Sequence, residues 1–223
     1  MFEELDSLFQ SSTIKPTFEK VHIILALFIF DENREGIGRY RLQKELLIGE
    51  GTAKSMIKKL NKNIKFVNVT DERKRRGHFL TEKGIDYLNK IKKIIPIIKE
   101  GKSSILKDII IETDKTYSYF CLVKNGSRKI SNGVSQRDAA IKISGSGATC
   151  LVFNGENLIF PSKSHSEPIN NDMVINKSLQ TYFETDISKE NIKLEKNDVI
   201  VIGSGDSLQK ARLATLNAAL TLI

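Results

Sequence analysis

Residues 39–60, RYRLQKELLIGEGTAKSMIKKL, decide the fold. A helix from about Arg39 to Leu47 places Leu42, Leu46 and Leu47 on one face and Arg39, Arg41 and Lys44 on the other. Ile48-Gly49-Glu50-Gly51 interrupts the pattern, and a second helix to about Leu60 sets Ala53, Met56, Ile57 and Leu60 inward at helical spacing. Helix, tight glycine turn, helix is the pattern of a helix-turn-helix. Gly49 and Gly51 are expected to supply positive φ or a close backbone approach in the turn. The outward positions are Thr52, Lys54, Ser55, Lys58 and Lys59, with Glu50 at the first turn. In such a motif the start of the second helix enters the major groove, where hydroxyls and lysines meet phosphates and base edges. Thr52, Lys54 and Ser55 are the foremost candidates. The competing readings are first-turn capping for Thr52 and Ser55, and solvation for Lys58 and Lys59.

Upstream, a core helix is expected from Thr17, as N-cap after Pro16, to Phe30. Downstream the period changes to alternation, so Ile64–Val69 and His78–Leu80 read as paired strands. Between them Asp71-Glu72-Arg73-Lys74-Arg75-Arg76-Gly77 puts four consecutive cations at a hairpin tip, where like charges repel and none can be buried unpaired; the competing reading is a solvated loop, or pairing within it to Asp71 and Glu72. Thr81 is a natural N-cap for a helix whose stripe Ile85, Leu88, Ile91, Ile95 runs to Pro96.

Charge agrees with this pattern. Residues 1–102 hold 21 Lys and Arg against 14 Asp and Glu, a net +7, whereas the remainder holds 14 against 13, a net +1. Residues 39–76 alone hold 12 basic and 4 acidic residues. A basic patch of this kind suits a polyanion, because cations that neutralise phosphates release condensed counterions.

With these elements in order, FLTEKG (79–84) resembles the strand-to-helix junction that closes the wing of many prokaryotic winged-helix repressors, and LLIGEGTAKSMIKKL (46–60) resembles their turn and recognition helix. The likeness covers residues of about 17 to 95. It implies a recognition helix at about 50–61 and a basic wing at about 64–80 on duplex DNA, with Arg39, Arg41, Thr52, Lys54, Ser55, Lys58, Lys59, Arg73, Lys74, Arg75 and Arg76 as the contacting residues. The long helix after the wing often dimerises in such regulators, and a homodimer is expected; the competing reading is packing of that helix within its own domain.

The chain is expected to form two domains, 1–98 and 104–223, joined by PIIKEGKSS (96–104). The longest apolar run, Ile23–Phe30, is too short to cross a bilayer, and MFEELDSLFQ lacks a basic leader, so a cytoplasmic location is expected with no membrane partner. Cys121 and Cys150 lie in apolar strand-like runs without metal-binding spacing and read as buried thiols. In the second half, strands are expected at 105–112, 117–124, 148–153, 157–160 and 199–202, with Asn154-Gly155 as a hairpin turn. Helices are expected at 135–143, 174–183 and 207–222. The fold class is therefore α+β: an N-terminal winged helix-turn-helix, mainly α with a β-hairpin wing, followed by an α+β sandwich with helices on one face of a largely antiparallel sheet.

GVSQRDAAIKISGSGATCLVFNGENLIFP (133–161) and NDVIVIGSGDSLQKARLATLNAAL (197–220) resemble the C-terminal domain of an archaeal family in which a winged helix precedes a domain of unknown function. The resemblance implies a transcriptional regulator and carries over no ligand or catalytic residue. By chemistry alone, the glycine turns Ser144-Gly145-Ser146-Gly147 and Gly203-Ser204-Gly205 could cradle a small anionic effector if they met, with Arg137 or Arg128 supplying charge. The alternative is plain tight turns with Asp206 capping the last helix. His22, His78 and His165 belong to no catalytic motif, and neither a dinucleotide fingerprint nor a P-loop is present, so no enzyme, metal or cofactor is expected. The alternative function is a small-molecule metabolic enzyme or nucleotide-binding protein carrying a fused winged helix.

Overall fold

The structure is a computed structural model that describes residues 2–10, 16–69, 77–110, 115–161 and 173–223. The tip cations Arg73, Lys74, Arg75 and Arg76, together with His165, lie outside the described residues. Two compact units emerge, Met1–Lys90 and Ile91–Ile223. The first is mainly helical and the second is built on a sheet, a mixed α+β architecture.

In the first unit a short helix α1 (Glu3–Asp6) precedes α2 (Lys20–Glu32), α3 (Arg39–Leu46) and α4 (Glu50–Lys62). The antiparallel pair β1 (Val67–Val69) and β2 (His78–Leu80) follows, and then α5 (Glu82–Lys92). Every residue of α2 from Val21 to Phe30 is buried, so this helix is the core on which the others pack. Its start differs from expectation. Glu19, not Thr17, is the N-cap: the Glu19 side chain accepts the His22 backbone N–H, and His22 Nδ1 accepts the Glu19 N–H at 2.9 Å. Thr17 is instead hydrogen-bonded to the Thr52 hydroxyl at 2.7 Å.

His22 is a pH-sensitive element of this cap. Burial lowers its pKa below 6.5 and outweighs the Glu19 carboxylate, which raises it. The unfolded chain then takes up a proton that the folded chain resists. Stability is expected to hold above pH 6.5 and to decline as pH falls below it, and urea midpoints at pH 7.5 and 5.5 should differ less in His22→Gln.

The turn between α3 and α4 also departs from expectation. Leu47 takes the left-handed conformation (φ 53°) and is exposed, not part of the apolar face. Gly49 is an extended N-cap and Gly51 a bare first-turn residue, so neither has positive φ or a close neighbour. Thr81 caps α5 as expected, accepting the Gly84 N–H at 3.2 Å. Among the described residues the strand pairing joins Val67–Val69 to His78–Leu80 and does not include 64–66, and Ile37 is bridged to His78.

In the second unit the sheet order is β3 (Ile97–Gly101), β4 (Tyr117–Val123), β7 (Val199–Gly205), β5 (Gly147–Phe153), β6 (Leu158–Ile159), with every pairing antiparallel. Residues 96–104 are thus no simple linker: most of them form an edge strand and the start of α6 (Ser103–Leu106). Of the strand expected at 105–112, residues 105–110 are described, and they hold the end of α6 and a single 3-10 turn. The remaining helices are α7 (Val134–Lys142), α8 (Lys177–Ser188) and α9 (Leu208–Leu220).

Helices cover both faces of the sheet, not one. Phe120, Leu122, Ile200 and Ile202 pack with Leu179, Phe183 and Ile187 of α8, whereas α7 and α9 lie on the face of Val199, Val201 and Gly203. All of β7 is buried, which explains its unbroken apolar run VIVI in an antiparallel sheet. Cys121 and Cys150 are both free and buried, each opposite Val201 on either side of β7. Burial pushes both thiols up, Cys150 to about 12.

Thr215 of α9 ties helix to sheet. Its fully buried hydroxyl accepts the Gly203 N–H at 3.0 Å and has Ala211 O (2.8 Å) and Tyr119 O (3.0 Å) as acceptors. Thr215→Val keeps the shape and removes the partner. A loss of about 1–3 kcal/mol is expected in chemical denaturation, because the Gly203 N–H is left buried without that acceptor.

Candidate nucleic-acid interface

Three sets of side chains surround α4, and their neighbours separate them. The buried stripe Ala53, Met56, Ile57, Leu60 faces the core. One flank carries Thr52 and Lys59, and both are engaged elsewhere in the unit: Thr52 by Thr17, and Lys59 by its ammonium donating to Leu8 O. The crown opposite the core carries Gly51, Ser55, Lys58 and Lys62, all exposed, with Lys54 exposed beside it. Among the described residues none of Lys54, Lys58 and Lys62 forms an ion pair.

The other flank meets α3 and the hairpin. Asn61 donates to Val67 O at 2.8 Å, which fixes the strand against the helix. Arg39 lies over the Tyr40 ring at 5.1 Å and pairs with Glu50 at 2.9 Å. Together these elements enclose a cavity of about 470 Å³ lined by Arg39, Lys54, Lys58, Lys62, Tyr40 and His78. Burial lowers the His78 pKa; a backbone hydrogen bond at Ile37 opposes this and the Arg39 charge adds to it. The cations therefore line one concavity, with lysine stems, Ile57 and Val69 forming its apolar wall.

The sequence candidates divide accordingly. Arg39, Lys54 and Lys58 meet in the cavity, Ser55 lies on the exposed crown, and Arg41 is exposed on α3. Thr52 and Lys59 are held on the flank bound to the N-terminal segment. Lys62 and Tyr40 were missed. The signal for Lys62 was available, since it continues the spacing Lys54, Lys58 by another helical step past Leu60.

The glycine turns of the second unit lie in or beside β5 and β7, with Gly145, Gly203 and Gly205 packed against α9. The two turns do meet, with Ser146 N–H donating to Ser204 O at 2.8 Å and Gly147 opposite Ser204, but they meet as strands. Gly203 and Gly205 lie inside β7. A Cβ on Gly203 would come within 2.4 Å of Thr215 N, and one on Gly145 within 2.4 Å of the Ala214 Cβ. These positions let α9 pack close to the sheet. Ser207, not Asp206, caps α9 by accepting the Lys210 N–H at 3.3 Å, while Asp206 pairs with the Lys210 ammonium at 2.7 Å. Arg137 is exposed on α7 and pairs with Asp138.

The class defined so far is a two-unit α+β protein: a helical unit with an exposed basic helix face, followed by an antiparallel sheet covered by helices on both faces. Comparison with known proteins adds the following. Residues 19–86 match the family model described as "PH0730-like, N-terminal domain", and residues 115–222 match "Domain of unknown function (DUF4443)". The solved structure titled "Hypothetical protein PH0730 from Pyrococcus horikoshii OT3" is similar over 92% of this chain and 93% of that one, with a TM-score of 0.62 at 21% identity, so the two share a fold. No curated protein matches. No helix among the described residues is long and apolar enough to cross a membrane.

Proposed function

We propose that the chain is a DNA-binding transcriptional regulator whose first unit is a winged helix-turn-helix and whose second unit is an effector or dimerisation domain. In this reading α4 enters the major groove, and the β1–β2 hairpin with its basic tip reaches the flanking backbone. The observation that carries the proposal is the row Lys54, Lys58, Lys62, exposed and in no ion pair among the described residues, with Lys58 and Lys62 on the helix face opposite the core and Lys54 beside it. Folding alone gives no reason to align three like charges on one strip, and a polyanion does. Gly51 has open space around its Cα, so a phosphate can approach the first turn of α4 closely. A homodimer would present two such helices to half-sites about one helical turn apart.

The test is duplex binding by fluorescence anisotropy between 50 and 200 mM salt. A steep linear fall of log affinity with log salt supports the reading. Absence of binding at 50 mM to mixed genomic duplexes overturns it.

A further inference from the structure

We propose that a cavity of about 440 Å³ beside β5 in the second unit binds a small zwitterion with an apolar body, in the manner of a free amino acid with an aliphatic side chain. The regulatory consequence rests on the DNA-binding reading above, while the binding itself does not. The volume falls in the range of small-molecule sites, about 300–1,000 Å³. Its wall is chemically divided. Ile109, Ile110, Val134 and Phe160 supply apolar surface, while Asp108 and Arg137 bring opposite charges to the same lining.

The opposite charges select the ligand class. A plain anion would gain Arg137 but meet the Asp108 carboxylate, and a plain cation would meet the reverse, whereas a zwitterion pairs with both. Arg137 can take a new partner: its pair with Asp138 joins side chains 48% and 60% exposed, an arrangement that contributes little. The outer edge of β5 adds hydrogen-bonding capacity. β6 pairs only with Val152 and Phe153, so at Ala148, Thr149 and Cys150, which line the cavity, that edge carries no strand among the described residues. The wall itself is braced, because the Thr149 hydroxyl donates to Ile109 O at 2.5 Å. In this cavity Arg137 lines a space large enough for a ligand.

The experiment is thermal unfolding and calorimetric titration of the full chain, free of DNA, with L-leucine, L-isoleucine, L-methionine and L-phenylalanine as probes. 4-Methylpentanoate and 3-methylbutylamine serve as analogues carrying one charge each. At least one amino acid should raise the melting temperature saturably and bind at least about tenfold more tightly than either analogue, and Arg137→Ala and Asp108→Asn should each weaken it by about tenfold or more. Both residues are exposed, so the variants should keep the far-ultraviolet dichroism of the parent. No saturable shift with any of the four amino acids, equal binding of 4-methylpentanoate, or unchanged affinity in both variants would overturn the proposal. Because DNA is absent from the assay, failure here leaves the salt-dependent duplex test to stand or fall separately.

Discussion

Alanine at Lys54, Lys58 and Lys62 together is expected to lower duplex affinity by about 500-fold at 0.1 M salt and to flatten the slope of log affinity against log salt by about 3. Each phosphate contact contributes about 0.9 to that slope, and at 0.1 M salt its loss corresponds to about an eightfold weakening, so three losses multiply to the stated figure. All three residues are exposed on a helix, where alanine is a better helix former than lysine, so the variant should fold as well as the parent. Lys59→Ala is the matched control. Its ammonium is held by Leu8 O, so the slope should stay unchanged while stability falls slightly. An unaltered slope in the triple variant would remove the crown of α4 from the interface.

The largest effect on stability is expected at Asp198. This carboxylate is fully buried where the end of β4 and the start of β7 meet. It accepts the Lys124 ammonium at 2.8 Å, the Asn125 N–H at 3.1 Å and the Glu195 N–H at 2.9 Å, and the Asp198 carbonyl accepts Phe153 N–H from β5 at 2.9 Å. Burial alone lowers the Lys124 pKa, but hydrogen bonds and charge from Asp198 and Glu195 outweigh it and leave the ammonium above its ordinary value. Asp198→Ala leaves the Asn125 and Glu195 N–H groups without this acceptor and takes from Lys124 one of its two carboxylate partners, and a loss of about 3–5 kcal/mol is expected from denaturant titration. Against a typical total of about 5–15 kcal/mol, that is enough to unfold part of the population at moderate temperature. Asp198→Asn keeps one acceptor and should fall between. Glu195 shares the same lysine at 2.7 Å but is exposed, and its removal should change little. A loss below about 1 kcal/mol for Asp198→Ala would show that water replaces the carboxylate.

Much of the fold was legible because element type follows from local pattern. The unbroken apolar run of α2, the 3-4 spacing within α4, the Thr81 cap and the VIVI core of β7 each need only a few neighbouring residues to be read. The errors share a different cause. Residues 96–104 read as a linker because Pro, Gly and Ser are locally flexible, yet Ile97–Gly101 pairs with Tyr117–Val123, and strand pairing is set by a distant partner. Helices were expected on one face of the sheet, but α8 covers the second face, which only the packing of Phe183 against Phe120 reveals.

The basic helix shows the same division. The sequence by itself determined that residues of about 50–61 form a helix, that Ala53, Met56, Ile57 and Leu60 point inward, and that cations gather on the remaining surface, because helical period and charge are local properties. Only the tertiary structure decided which of those cations have no partner among the described residues. Lys59 is taken by Leu8 and Thr52 by Thr17, residues far away along the chain, whereas Lys58 and Lys62 are left on the open crown. The glycines obey the same rule: a glycine at 145 or 203 reads equally as ligand turn or packing gap, until Ala214 and Thr215 of a helix folded back from the far end of the chain occupy the space.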